Sequence, residues 1–191
     1  LTVAKRSGEV DNLTVPDVPD AALGVGHTRW STHGPPTDAN AHPHTDCTGD
    51  VAVVHNGIVE NHEALKAELA DHEFTSDTDT EVIPHLIEEE LAAQRGEGDL
   101  LNAVRAVEDR LEGSYAICAV REGEDEIVVA RRGSPLVLGR DDDATFVASD
   151  VTAFLEHTRD VTYLEDGDVA ALSAEGVAIY ADGDLVDRGV E

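Results

Sequence analysis

The segment Gly26-His27-Thr28-Arg29-Trp30-Ser31-Thr32-His33-Gly34 sets an arginine among hydroxyl groups between two glycines. A guanidinium fork in such surroundings suits a bidentate grip on a planar carboxylate, and glycines let the backbone approach a ligand closely. The same residues also describe a surface arginine beside a packed tryptophan. In a second segment, His55-Asn56-Gly57, a side-chain amide and a glycine N–H are donors suited to the oxyanion of a tetrahedral intermediate. Asn-Gly is equally the commonest hairpin turn. The third segment, Ser76-Asp77-Thr78-Asp79-Thr80-Glu81, alternates acids like a calcium loop, but Val82 stands where that loop requires glycine. Helix capping accounts for its residue types, and one acid left over would pair with a ligand's ammonium group. A carboxylate grip, an oxyanion donor pair and an ammonium partner together describe a pocket for an amino acid undergoing acyl transfer, short only of its nucleophile.

His27, His33, His42, His44 and Cys47 crowd one stretch and could coordinate zinc. No pair of them has finger-like spacing, and hydrogen-bonded loop histidines fit as well, so neither a metal nor a cofactor is expected. The two cysteines, Cys47 and Cys118, make no disulfide framework.

The elements that must position these groups read as follows. Residues 1 to 23 are rich in loops, and the stretch from Gly24 to Asp50 is too polar and broken for a regular element. Val51 to His55 reads as a buried strand entering a tight turn at Asn56-Gly57. Three amphipathic helices follow. One carries Leu65 and Leu69 after Asn61, and one carries Val82, Ile83, Leu86, Ile87 and Leu91 with Pro84 in its first turn. The third carries Leu101, Val104, Val107 and Leu111, with Asp99 as N-cap and Gly113 past its end. From Tyr115 onward strands dominate: 115–121, 127–131, 136–139, 145–148, 161–164, 169–173 and 177–180. Short antiparallel strands after a helical cluster indicate one α+β domain of layered construction.

Acidic residues number 41 against 13 basic ones, for a net charge of -28, and Lys5 and Lys66 are the only lysines. Such a surface repels nucleic acid and anionic membranes, and its self-repulsion points to a protein of a high-salt cytoplasm; an ordinary acidic, soluble protein is the plainer alternative. No apolar run is long enough to cross a bilayer, and Leu1 to Arg6 lack the apolar core of a secretion signal, so a cytoplasmic location is expected.

Several of these stretches, in order, resemble one family. His27 to Gly34, Asn40-Ala41-His42-Pro43-His44, Val54 to His62, Ser76 to Val82, Arg132 to Val137, Ala148-Ser149-Asp150 and Leu164 to Asp168 are similar to the class II glutaminase domain of the glutamine:fructose-6-phosphate amidotransferases. The resemblance implies a four-layer αββα sandwich of the amino-terminal nucleophile hydrolase type, with L-glutamine as ligand. It implies that Arg29, helped by Thr32 and His33, binds the glutamine α-carboxylate, and that Asp79 holds the α-ammonium group. Asn56 with Gly57 would form the oxyanion hole, and Trp30 would gate the passage of ammonia. The family's nucleophile is an amino-terminal cysteine whose own free amine assists proton transfer, whereas this chain begins Leu1-Thr2. The expectation is therefore a domain spanning 1–191 without its first strands or its sugar-isomerising domains, binding glutamine weakly or not at all and inactive alone, monomeric as given and dimeric at full length. Fructose 6-phosphate would be met only through those further domains. A noncatalytic glutamine-binding relative and the glutaminase domain of a phosphoribosyl-amine synthase are the alternatives.

Overall fold

In the computed structural model, which describes residues 1–18, 21–30, 34–94 and 98–191, the chain is organised around one long strand. A short strand β1 (His44–Thr45) turns into β2 (Val51–Val59) through a loop tied by the Asp46 carboxylate, which accepts from the Val51 backbone at 3.0 Å and the Thr48 hydroxyl at 2.6 Å. Three helices follow, α1 (His62–Glu68), α2 (Val82–Ala93) and α3 (Leu100–Glu108), with a 3-10 turn at Asp79–Glu81 running into α2. Then come β3 (Gly113–Arg121), β4 (Glu126–Arg132), β5 (Val137–Arg140), β6 (Thr145–Ala148), β7 (Val161–Tyr163), β8 (Asp168–Ser173), β9 (Gly176–Ala181) and β10 (Asp184–Val186).

The strands form two antiparallel sheets, one ordered β1-β2-β3-β4-β8-β9-β10 and one ordered β6-β5-β7. Side chains alternate across the large sheet, and both of its faces are covered, so its central strands are apolar throughout rather than every second residue. Val51, Val53, Val59, Tyr115, Ile117, Ala119, Val128 and Ala130 pack against the three helices. Val54, Ala116, Cys118 and Val129 point the other way and meet Leu136, Leu138 and Leu164 of the small-sheet region. Outside the small sheet, a 3-10 turn at Val151–Ala153 and Phe154 cover Val137 and Val161. The Phe154 ring lies so near Gly139 that an added Cβ there would come within 2.5 Å of it. Helix, sheet, sheet and turn thus make the four layers of an αββα sandwich. Each fully buried aliphatic side chain, such as Ile83, Leu86 or Leu100, contributes about 1.5–3 kcal/mol to holding the helix layer down.

Two local expectations are corrected. Asn56-Gly57 is no hairpin turn: β2 runs straight through it, pairing with β3 from Val51↔Arg121 to Val59↔Gly113. Gly57 has φ +124, and an added Cβ would stand 2.0 Å from the Ser114 carbonyl oxygen, so glycine serves here for close strand approach rather than for a reversal. Helix α3 ends at Glu108, before Leu111, and Gly113 opens β3 at φ +116. Asp99 does cap α3, accepting from the Asn102 backbone at 2.7 Å. Asn61 stands at the start of α1 but makes no cap bond; its amide instead ties the helix to Arg110 O and Glu112 N.

Candidate active site

β1 covers β2 only at Ala52 and Val53, so the edge of β2 beyond them is left to side chains. The His55 backbone N–H donates to Nδ1 of His42 at 3.1 Å, and the Val59 N–H donates to the Asp79 carboxylate at 2.8 Å. Backbone N–H groups of alternate strand residues leave on the same side, so the Gly57 N–H leaves on that edge too, between these two acceptors.

Asn56, next to Gly57, faces the gap between the two sheets. Its side-chain oxygen accepts from Nε2–H of His27 at 2.8 Å, which fixes the carboxamide and turns its NH2 group outward. A cavity of about 260 Å³ opens there, lined among others by Gly26, His27, Val54, Asn56, Cys118 and Ser149. The His27 ring stacks on His42 with centroids 4.1 Å apart, and His42 meets His44 edge-on at 4.9 Å. Burial drives all of these imidazoles toward neutrality: it lowers the pKa of His27, and it takes His42 down to about 2 and His44 to about 4, neighbouring cationic groups pushing the same way. A neutral His42 is what its role as acceptor from the His55 N–H requires.

The Ser76–Glu81 segment arrives from the helix side. Glu81 accepts four bonds, from the backbone and hydroxyl groups of Thr75 and Ser76, at 2.7–2.8 Å. These bonds hold its pKa down against burial. The folded loop is tied to β2 at two points and to β1 at a third: Thr80 to His55 Nδ1 at 2.9 Å, Asp79 to Val59, and Thr78 to His44 Nε2 at 3.1 Å. Capping of α2 was the structural alternative for these acids, but no side chain caps that helix, and Asp79 terminates a strand edge instead.

Arg29 is half-buried, with its guanidinium 3.4 Å from Gly34 O. Gly34, at φ +72, lies against Asn40 and Asp77, and Asn40 Oδ1 accepts from the Asp77 N–H at 2.9 Å. The arginine therefore borders the loop that carries Asp79. His44 feels both Arg29 and Asp79 electrostatically, and His27, bonded to Asn56, feels Arg29 as well. Asn56 and Gly57 thus lie on β2 and Asp79 at its Val59 end, with Arg29 near the histidines beside β2; the cavity at Asn56 is lined by neither Arg29 nor Asp79. Trp30 is 90% exposed, which excludes the packed-tryptophan reading. Thr32 and His33 lie outside the described residues.

The reading of His27, His42 and His44 as hydrogen-bonded loop histidines holds: they bond Asn56, the His55 backbone and Thr78. Their stacking on one another was not foreseen. Neither cysteine suits a nucleophile's part. Burial in the sheet pushes the Cys118 thiol up to about 12, and Cys47 sits by α2, in contact with His72 and His85 rather than with Asn56.

Residues 27–156 match the family described as the glutamine amidotransferase domain. The isomerizing glutamine–fructose-6-phosphate aminotransferase of Halobacterium salinarum is 60% identical over 193 residues, covering 100% of this chain and 31% of that protein. The enzyme of the same name from Thermus thermophilus is 50% identical over 196 residues, again with 100% and 31% coverage. The chain therefore spans about a third of the length of the curated relatives it matches. Among solved structures, glutamine phosphoribosylpyrophosphate amidotransferase from B. subtilis, complexed with ADP and GMP, is similar with a TM-score of 0.67 and 28% identity, over 81% of this chain and 34% of that one.

Proposed function

The chain belongs to the glutamine amidotransferase domain family, and from that premise we propose that it forms the glutamine site of an enzyme that delivers ammonia to fructose 6-phosphate. One observation carries the assignment of the reacting end. The Asn56 carboxamide, locked by His27, and the Gly57 N–H, leaving the uncovered edge of β2, are adjacent preorganised donors. Donors of that kind stabilise the oxyanion that forms when a thiolate attacks the glutamine side-chain amide. The resulting tetrahedral intermediate collapses with loss of ammonia, which requires a proton on the leaving nitrogen.

The other end of the ligand is an α-amino acid. Asp79, buried and oriented by the Val59 N–H, supplies the charge for the ammonium group, and Arg29 supplies the bidentate donor for the carboxylate. Thr32 and His33 would assist Arg29, and the exposed Trp30 would face the route by which ammonia leaves. Within the complete enzyme, fructose 6-phosphate would be met by other domains and the assembly would be a homodimer. Relatives 50–60% identical are named for fructose 6-phosphate, whereas the phosphoribosylpyrophosphate enzyme stands at 28%, which favours the sugar-phosphate acceptor.

Because neither Cys47 nor Cys118 fits the nucleophile's part, the direct test is binding rather than turnover. Calorimetric titration with L-glutamine should give saturable binding that falls by about tenfold or more in Asp79→Asn and in Arg29→Lys, a loss of about 1.4 kcal/mol or more. Equal affinity of wild type and both variants would overturn the assignment. D-glutamine, with the wrong arrangement of the same two charges, is the specificity control.

A further inference from the structure

The only member of the histidine-rich stretch placed elsewhere among the described residues is Cys47, and it meets three groups that are distant in sequence. Its Sγ lies 3.4 Å from Nδ1 of His72 and 3.5 Å from Nδ1 of His85. The two Nδ1 atoms are 3.2 Å apart, and Oε2 of Glu88 is 3.3 Å from the first and 3.5 Å from the second. All four ligand atoms fall within 4.8 Å of one another. A tetrahedral zinc with Zn–N near 2.0 Å and Zn–S near 2.3 Å requires N···N edges of about 3.3 Å and S···N edges of about 3.5 Å. The measured separations match these edges within about 0.1–0.2 Å.

The protonation logic points the same way. Nε2 of His72 is 3.2 Å from Glu89 Oε1, and an ionised carboxylate can only accept, so that nitrogen carries the hydrogen. With that hydrogen on Nε2, Nδ1 of His72 faces the sulfur, the second imidazole and Glu88. A carboxylate behind a histidine in this way is the usual outer partner of a metal ligand. Glu88 is itself aimed, its Oε2 accepting from the Cys47 N–H at 3.0 Å. His85 is buried, its Nδ1 faces the cluster, and its Nε2 has no hydrogen-bond partner. One sulfur, two ring nitrogens and one carboxylate oxygen thus converge on a single point, where a cation would meet all four.

We propose that Cys47, His72, His85 and Glu88 form a structural site for a divalent metal of the zinc class, closed by four protein ligands. The donor set of one thiolate, two imidazoles and one carboxylate suits zinc rather than calcium or magnesium. The site would join the β1–β2 loop, the segment before Thr75, and α2, and so clamp both ends of the loop that presents Asp79. It stands independently of the glutamine site, since no ligand atom is shared.

The test is cobalt titration of the purified full chain after dialysis against chelator, with no activity readout. About one tight equivalent should appear, with a near-ultraviolet thiolate-to-cobalt band and the visible bands of tetrahedral cobalt, both erased by added zinc. Cys47→Ser should abolish the thiolate band, while Glu89→Gln should keep it and weaken binding by about 10–100-fold. Cobalt bound without a thiolate band in the wild-type chain is what the acidic surface alone would give, and it would overturn the proposal. So would wild-type affinity no higher than that of the Cys47→Ser, His72→Gln double variant, provided its circular dichroism shows it folded.

Discussion

Two histidine clusters flank the same loop, and they are built oppositely. Around His27, His42 and His44, each ring reaches out through one nitrogen to a different element: His27 gives to Asn56, His42 takes from His55, and His44 meets Thr78, while Nδ1 of His27 is buried without a partner. Around Cys47, His72 and His85, the rings and the sulfur contact one another and converge on Glu88. Histidine density alone therefore says little. Rings that bond outward to separate elements hold backbone and side chains in place, whereas rings that converge on one another with a thiol and a carboxylate outline a ligand set.

The largest expected effect comes from breaking the first region at its closest approach. Gly57→Ala forces a Cβ against the Ser114 carbonyl at a positive φ and should destabilise the fold by about 2–4 kcal/mol, read from denaturant midpoints. A change under about 0.5 kcal/mol, the size of a neutral surface substitution, would mean that β2 tolerates a side chain there and that the oxyanion assignment has lost its geometric basis.

A smaller effect should come from the second region. A chelator should lower the melting temperature of the wild-type chain by a few degrees, corresponding to about 1 kcal/mol or more, and leave Cys47→Ser unmoved. Equal shifts in both proteins would place the metal effect on the acidic surface instead.

A third comparison separates the regions by pH. His42, ordinarily near 6.5, is held down to about 2 in the fold, so below about pH 6.5 the unfolded chain takes up a proton that the folded chain refuses. Stability contributed by this histidine is complete above that pH and is lost as pH falls, by up to about 1.4 kcal/mol per unit. Carboxylate protonation relieves the chain's self-repulsion and acts in the opposite sense, so the comparison is with His42→Gln. Urea midpoints at pH 7 and pH 5 should fall further for wild type than for the variant, and parallel changes would show that His42 does not titrate in this way.

Much of the framework could be read from residue patterns because burial imposes period. The stripe Val82, Ile83, Leu86, Ile87 fixed α2, and Thr145–Ala148 matches β6 to the residue. The Asn56-Gly57 turn was misread because a dipeptide that reverses a chain also fits a strand where a neighbouring carbonyl leaves no room for a Cβ; only the pairing with Ser114 distinguishes them. β10 escaped notice because a three-residue edge strand with exposed side chains has no hydrophobic signature. Of the site, Arg29, Asn56, Gly57 and Asp79 were visible as residue types suited to an amino acid. The Cys47 cluster was not, since its ligands span residues 47 to 88 and only His85 and Glu88, at i and i+3 on α2, carry a local signal.

The carboxylate of Asp168, fully buried, grips Arg188 through two bonds of 2.6 and 2.8 Å, and residues 189–191 then lie along β7, with Glu191 and Val161 exchanging backbone bonds. One strand of each sheet is thereby roped to the same length of tail. A pull at residue 191 would therefore be felt first by β7 and β8, with β4 and β3 standing between them and the strand that carries Asn56 and Gly57.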